Sequence, residues 1–223
     1  MNNKINFNKL KKPYFIGEIG INHNGDLSIA KKLIDAVHAC GWNCAKFQKR
    51  NPDVCVPEHI KIPSAMTTHK ELVSEAAKTK KPIIMSTGMC DLREVDDAVE
   101  NVLRHNDNLV LMHTNSSYPT PKEELNLSLI PFLKERYNCT VGYSGHEEDL
   151  EPTVIAVALG AKVIERHITL SHDMWGTDQK SSLEILAMDI LYKRIQDIDI
   201  ILGEPRKIVT KSEFKIRKKL RGD

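Results

Sequence analysis

Short runs of branched and aliphatic residues recur along the chain: PYFIGEIG from Pro13, CAKFQ from Cys44, HIKIPS from His59, PIIMSTG from Pro82, LVLMHT from Leu109, TVGYSG from Thr140 and KVIERHITL from Lys162. Each gives way to a polar or glycine-rich turn, which predicts seven β-strands. Helical spacing fills most of the intervals. Ile29, Leu33, Ile34 and Val37 share a face before Gly41, and Leu92, Val95, Val99 and Val102 share one after the fourth strand. Thr68 with Glu71 and Asp91 with Glu94 have capping-box spacing. A last long helix is expected from about Ser181 to Leu202, carrying Leu183, Leu186, Ile190 and Ile198 and stopping at Gly203, with a basic tail from Lys211 to Arg221 beyond it.

Strands alternating with helices predict a parallel sheet buried on both faces, which is either a closed barrel or a doubly wound sheet. The polar residues favour the barrel. Glu18, Lys46, Gln48, Lys61, Ser64, Ser86, His113, Ser144, His146, Glu165 and His167 stand at or near the ends of successive strands. A barrel gathers all such ends at one mouth, whereas a doubly wound sheet uses only those at its switch point. No G-x-G-x-x-G or Walker pattern supports a nucleotide fold. The expected architecture is therefore α/β, a TIM (β/α)8-type barrel forming a single domain over residues 1–223. Two features mark it as incomplete by about one βα unit. The 223 residues fall below the roughly 250 of a typical barrel. Only Lys49 to His59, with Pro52 and Pro57 among them, separate the second and third strands, where a parallel crossover needs about a dozen residues or more.

Charge changes this picture little. A net charge of +2 gives no general attraction for nucleic acid or anionic membrane, and the basic tail has no aromatic stacking platform. No apolar run approaches the roughly 20 residues that span a bilayer, and the polar start lacks a signal-peptide core, so a cytoplasmic location is expected. Five scattered cysteines, Cys40, Cys44, Cys55, Cys90 and Cys139, form no C-x-x-C pair and read as reduced thiols.

The strand-end residues fall within an ordered series of motifs: E-I-G-I-N-H-N-G-D (Glu18 to Asp26), A-K-F-Q (Ala45 to Gln48), K-I-P-S-A (Lys61 to Ala65), S-T-G-M (Ser86 to Met89), S-S-Y-P-T-P (Ser116 to Pro121), G-Y-S-G-H (Gly142 to His146), V-I-E-R-H (Val163 to His167) and M-W-G-T-D-Q (Met174 to Gln179). This series resembles the sialic acid synthases from about Pro13 to Gly222. Family members carry several dozen more residues near Glu58, including a barrel strand with an S-T-P-F-like motif and its flanking helices. Many also have a C-terminal antifreeze-like domain, and none is expected within these 223 residues.

The resemblance implies condensation of phosphoenolpyruvate with the aldehyde of N-acetylmannosamine or a related amino sugar, with release of phosphate. A trianion needs cations and hydroxyl or amide donors, which Lys46, Lys61, Ser64, Ser86, Asn115, Ser116 and Ser144 would supply. By resemblance Lys46 faces the substrate carboxylate, while Gln48, Tyr118 and Asp178 meet the sugar. His146 and His167 would hold Mn²⁺ or Mg²⁺ as a Lewis acid, and Glu18 or Glu165 would handle protons. A homodimer is implied, and no nucleic-acid or membrane partner. Met66 and Ser116 depart from residues found in some members, leaving the acceptor sugar open. Two other readings remain: a catalytically disabled sugar- or protein-binding descendant, favoured by the missing unit, and a lysine-imine aldolase. Trp175 is either a sugar-stacking residue or a packed loop anchor, Met66 and Met89 are read as packing residues, and His113, outside the motifs, as a satisfied core histidine.

Overall fold

The computed structural model describes residues 5–48 and 59–222. All seven expected strands form: β1 (Tyr14–Gly20), β2 (Cys44–Phe47), β3 (Ile60–Ile62), β4 (Ile83–Ser86), β5 (Leu109–Thr114), β6 (Thr140–Gly145) and β7 (Val163–His167). Every pairing is parallel, in the order β2-β1-β7-β6-β5-β4-β3. The sheet is that of a barrel in which β7 closes onto β1. Among the described residues β2 and β3 are its two edges and do not pair with each other. The two strands that the short connection links are opposite edges of the sheet and not paired neighbours, and residues 49–58 between them lie outside the described residues.

An N-terminal 3₁₀ turn (Phe7–Lys9) comes first, and helices α1 (Leu27–Ala39), α2 (Lys70–Lys78), α3 (Leu92–Leu103), α4 (Leu129–Tyr137), α5 (Glu151–Ala158) and α6 (Ile185–Gln196) are followed by the short α7 (Ile198–Leu202) and the basic α8 (Lys211–Arg221). Asp91 and Glu94 form the expected capping box of α3. The α2 cap is His69, whose Nδ1 accepts from Leu72 N–H, and not Thr68. In α1 the buried face is Ala30, Leu33, Ala36 and Val37, with Ile34 turned outward. The expected last helix starts later and breaks at Asp197, which ends α6 and caps α7.

Side-chain alternation sorts the strands into two cores. Outward residues such as Phe15, Ile19, Ile62, Ile83, Met85, Leu109, Leu111, Val141 and Ile164 pack against the helices. Inward residues Ile16, Ile84, Val110, Met112 and Val163 form a separate apolar layer that Phe7 plugs from below. The next inward positions towards the C-terminal strand ends are Glu18, Lys46, Ser86, Thr114, Ser144 and Glu165, so polarity changes abruptly one layer up. Cys40, Cys44, Cys90 and Cys139 are free thiols, and Cys55 lies outside the described residues.

Candidate active site

Strand register builds the charged layer. Glu18 on β1 lies beside Lys46 on β2 and His167 on β7, and Ser144 on β6 lies beside Glu165 on β7. Lys46 Nζ donates to Glu18 Oε2 and stands 3.3 Å from Glu165 Oε2. Lys61 Nζ donates to Glu165 Oε1 at 2.6 Å, and Ser144 Oγ reaches the same oxygen at 2.9 Å. Burial favours the uncharged amine and brings Lys46 down to about 8, against the opposing pull of Glu165. Burial pushes the Glu165 carboxyl upward, but the charges of Lys46 and Lys61 prevail and hold it well below the carboxylate range.

Beside these charges lies a cluster of small donors. Gly88 N–H donates to Ser64 Oγ at 3.1 Å. A Cβ on Gly88 would sit 2.7 Å from that oxygen and closer still to Ser116 Oγ, so only glycine lets the two hydroxyls and the amide converge. Thr67 fastens this turn by donating to Ser86 O at 2.7 Å. Ser86 Oγ, Thr114 Oγ1 and Glu18 Oε1 are buried without a hydrogen-bond partner among the described residues. Orphaned polar atoms at one mouth are the signature of a site completed by a ligand.

The two motif histidines face each other with ring centroids 5.4 Å apart. His146 Nδ1 lies 2.6 Å from Asn115 O, and a carbonyl can only accept, so Nδ1 carries the proton and Nε2 presents a lone pair. Tyr118 donates its hydroxyl to that lone pair at 2.8 Å and stacks on the ring at 4.0 Å. His167 Nδ1 is buried, unpaired among the described residues and 3.5 Å from Asp178 Oδ2. Burial, reinforced by His146, pushes His167 down to about 3, and burial also lowers His146, so both rings are neutral near pH 7. Two neutral imidazoles, His146 held from behind by Asn115 O and His167 with an unpaired Nδ1, suit a metal that draws its other ligands from substrate and water oxygens. No group of three or more His, Cys, Asp or Glu side chains able to hold a metal occurs among the described residues.

Not every expected residue converges. Asn115 contributes its main-chain carbonyl to His146, while its side chain accepts from Ser117 N–H at 2.8 Å and lies 3.4 Å from Glu124. Gln48 is exposed just beyond β2. Trp175 is 85% exposed, which excludes a packed anchor, and Met89 is exposed rather than packed. His113 points outward and bonds Leu125 O at 2.7 Å, a satisfied core histidine. Several buried polar residues were not singled out from the sequence. Asn22 joins Ile168 O and Ser182 Oγ across the mouth. Arg166 and Glu147, both almost fully buried, pair at 2.8 Å on the outer face. The available signal was alternation. A charge at an outward position of an apolar strand must find a partner under the helices.

Comparison with known proteins places this geometry. The family model described as the NeuB family matches residues 54–207. N,N'-diacetyllegionaminic acid synthase of Campylobacter jejuni is 31% identical over 92% of this chain and 82% of its own length. The chain belongs to the NeuB family. Human N-acetylneuraminate-9-phosphate synthase is 28% identical over 93% of this chain and 76% of its own. The crystal structure of N-acetylneuraminic acid synthetase from Leptospira borgpetersenii, in complex with citrate, superposes with a TM-score of 0.81 at 27% identity, covering 95% of this chain and 93% of that one. The Campylobacter alignment runs over 275 residues and takes in 92% of these 223, so about 70 positions of that NeuB relative have no counterpart here. The slot between β2 and β3 is the place in the sheet that fits such a loss. No helix among the described residues is long and apolar enough to cross a membrane.

Proposed function

We propose that the protein is a nonulosonic acid synthase that condenses phosphoenolpyruvate with an amino-sugar aldehyde of the N-acetylmannosamine type and releases inorganic phosphate. The observation that carries this reading is the meeting of Lys46, Lys61 and Glu165 with the Ser64, Ser86, Ser116 and Ser144 hydroxyls inside one barrel mouth. Two lysines now spent on Glu18 and Glu165 can turn to a trianion, and the orphaned hydroxyls supply the donors its oxygens require. Lys46 would take the carboxylate, with Lys61, the serines and Gly88 N–H around the phosphate. Tyr118, Asp178 and Gln48 would face the sugar.

In the reaction C3 of the enol forms a carbon–carbon bond to the aldehyde carbon, water adds at C2, and phosphate leaves with cleavage of its bond to C2. Glu165, held strongly ionised, is a poor proton donor and a weak base in the free protein. Its role here is to order the two lysines before substrate arrives. Residues His146 and His167 would hold Mn²⁺ or Mg²⁺, which when bound supplies Lewis-acid polarisation of the aldehyde.

Phosphate release tests the proposal. Wild-type protein with Mn²⁺, phosphoenolpyruvate and N-acetylmannosamine should release phosphate only when all three are present, and His146→Ala should abolish it. Gly88→Ala should raise KM for phosphoenolpyruvate by tenfold or more, since its Cβ occupies the cradle. One observation favours a second reading, a binding protein without turnover: the open edge between β2 and β3. Folded protein that binds phosphoenolpyruvate but releases no phosphate with any of several amino sugars would establish that reading instead.

A further inference from the structure

Behind the wall that carries His146 and His167 lies a buried ionic network that the proposed chemistry does not use. Glu147 Oε1 accepts from Arg166 Nη1 at 2.8 Å and from Thr153 Oγ1 at 3.1 Å, while Glu147 Oε2 accepts from the Tyr143 hydroxyl at 2.8 Å. Arg166 Nη1 also reaches Thr153 Oγ1 at 2.9 Å and Asp149 O at 3.2 Å, and Nη2 donates to Glu147 O. Arg166 and Glu147 are at most 1% exposed. A fully buried ion pair gains little over apolar packing of equal volume, because desolvation offsets most of the attraction. Stability alone therefore gives this pair little advantage.

Its position does. Arg166 lies between Glu165 and His167 on β7, and Glu147 directly follows His146 at the end of β6. Alternation turns Tyr143, Glu147 and Arg166 outward, while Ser144, His146, Glu165 and His167 face the mouth. The guanidinium holds both the side chain and the main-chain carbonyl of Glu147, so the turn bearing His146 is bound to the strand bearing His167. Gly145 admits the pair at close range: a Cβ there would meet Glu147 Oε2 at 2.5 Å and Tyr143 Cε1 at 2.7 Å.

We infer that Arg166 and Glu147, braced by Tyr143, are positioning residues that set the separation and orientation of the His146 and His167 rings from the far side of the sheet. The inference rests on the reading of those rings as the metal-holding pair of the proposed synthase. Removing one partner leaves a buried charge and threatens folding, so the test uses the volume-conserving double variant Arg166→Met/Glu147→Leu. Its first readout is the His146 Nδ1–H resonance by NMR, assigned by its loss in His146→Ala. In the wild type this proton should be protected by Asn115 O. In the folded double variant it should exchange rapidly or vanish. The Mn²⁺ affinity read from the metal-induced thermal shift should weaken by about 10–100-fold, and kcat for phosphate release should fall while KM for phosphoenolpyruvate holds.

A folded double variant that keeps the protected resonance and the wild-type Mn²⁺ affinity would overturn the inference. If wild-type protein shows no Mn²⁺ response yet the resonance still depends on the pair, the positioning role stands and the metal reading is what fails. Should the double variant not fold, Glu147→Gln and Tyr143→Phe remove the charge and the brace separately. Either should shift the resonance, and an unchanged resonance in both overturns the inference.

Discussion

Lys46 shows how far a residue's identity and its behaviour can be separated. An amine interrupting a short apolar strand is visible in the chain and implies an anion partner. That burial brings it to about 8, with Glu18 and Glu165 beside it, depends on the layer in which β1, β2 and β7 place their side chains. Only the ammonium form can meet a carboxylate, and that form is lost as pH rises through this value. We expect kcat/KM for phosphoenolpyruvate to fall above about pH 8, approaching tenfold per unit, with kcat less affected because the bound trianion restores the proton. Initial rates at low substrate across that range check this, and a flat profile would remove Lys46 from the substrate carboxylate. The histidines differ again. Their motif drew attention to both, but the Nδ1–H tautomer of His146 comes from the Asn115 carbonyl, 31 residues away in sequence.

At the scale of elements, the first turn of the described chain has a task that its composition does not announce. Phe7 lies inside the barrel against Ile16, Ile84, Val110, Met112 and Val163, edge-on to Tyr14 at 5.4 Å and to His59 at 5.9 Å. It seals the end opposite the charged layer. Phe7→Ala should destabilise the fold by about 3–5 kcal/mol, read as a lower denaturation midpoint. Phosphate release by the protein still folded should be unchanged, because the ring packs into the apolar layer that lies below the charged one. Loss of activity at full stability would contradict a plug. Helix boundaries show the same division. Asp91 caps α3 as its spacing with Glu94 predicts, because that box is a purely local bond pattern. His69 displaces Thr68 at α2, since Thr67 and its neighbours are committed to the 3₁₀ turn that follows Ser64 and to Ser86 O.

The whole molecule is a barrel with an opening. Strands β5, β6 and β7 are each paired on both sides, whereas β2 and β3 are paired on one side only among the described residues and have four and three residues. Edge strands this short open locally at low cost. Amide hydrogen exchange should therefore release β2 and β3 well before β5 to β7, by a factor of a hundred or more. Bound phosphoenolpyruvate should slow both edges through Lys46 and Lys61. Uniform protection of all seven strands would show that something else completes the sheet. Substrate protection matters for function, because these two lysines stand on the two edges and a common anion would bridge them.

Taken alone, the chain determined seven strands, their parallel sense, the expectation of a barrel with one unit missing, and the polar residues of its mouth. All of these follow from local periodicity, connection length and ordered motifs, which are properties of neighbours in sequence. Tertiary structure decided the rest. It set which strands became the two edges, the inward register that brings Glu18, Lys46 and His167 together, the tautomer of His146, and the pairing of Arg166 with Glu147 behind the site. These are contacts between residues on different strands and loops. Their energies depend on burial and distance, and neither exists until the sheet has curled.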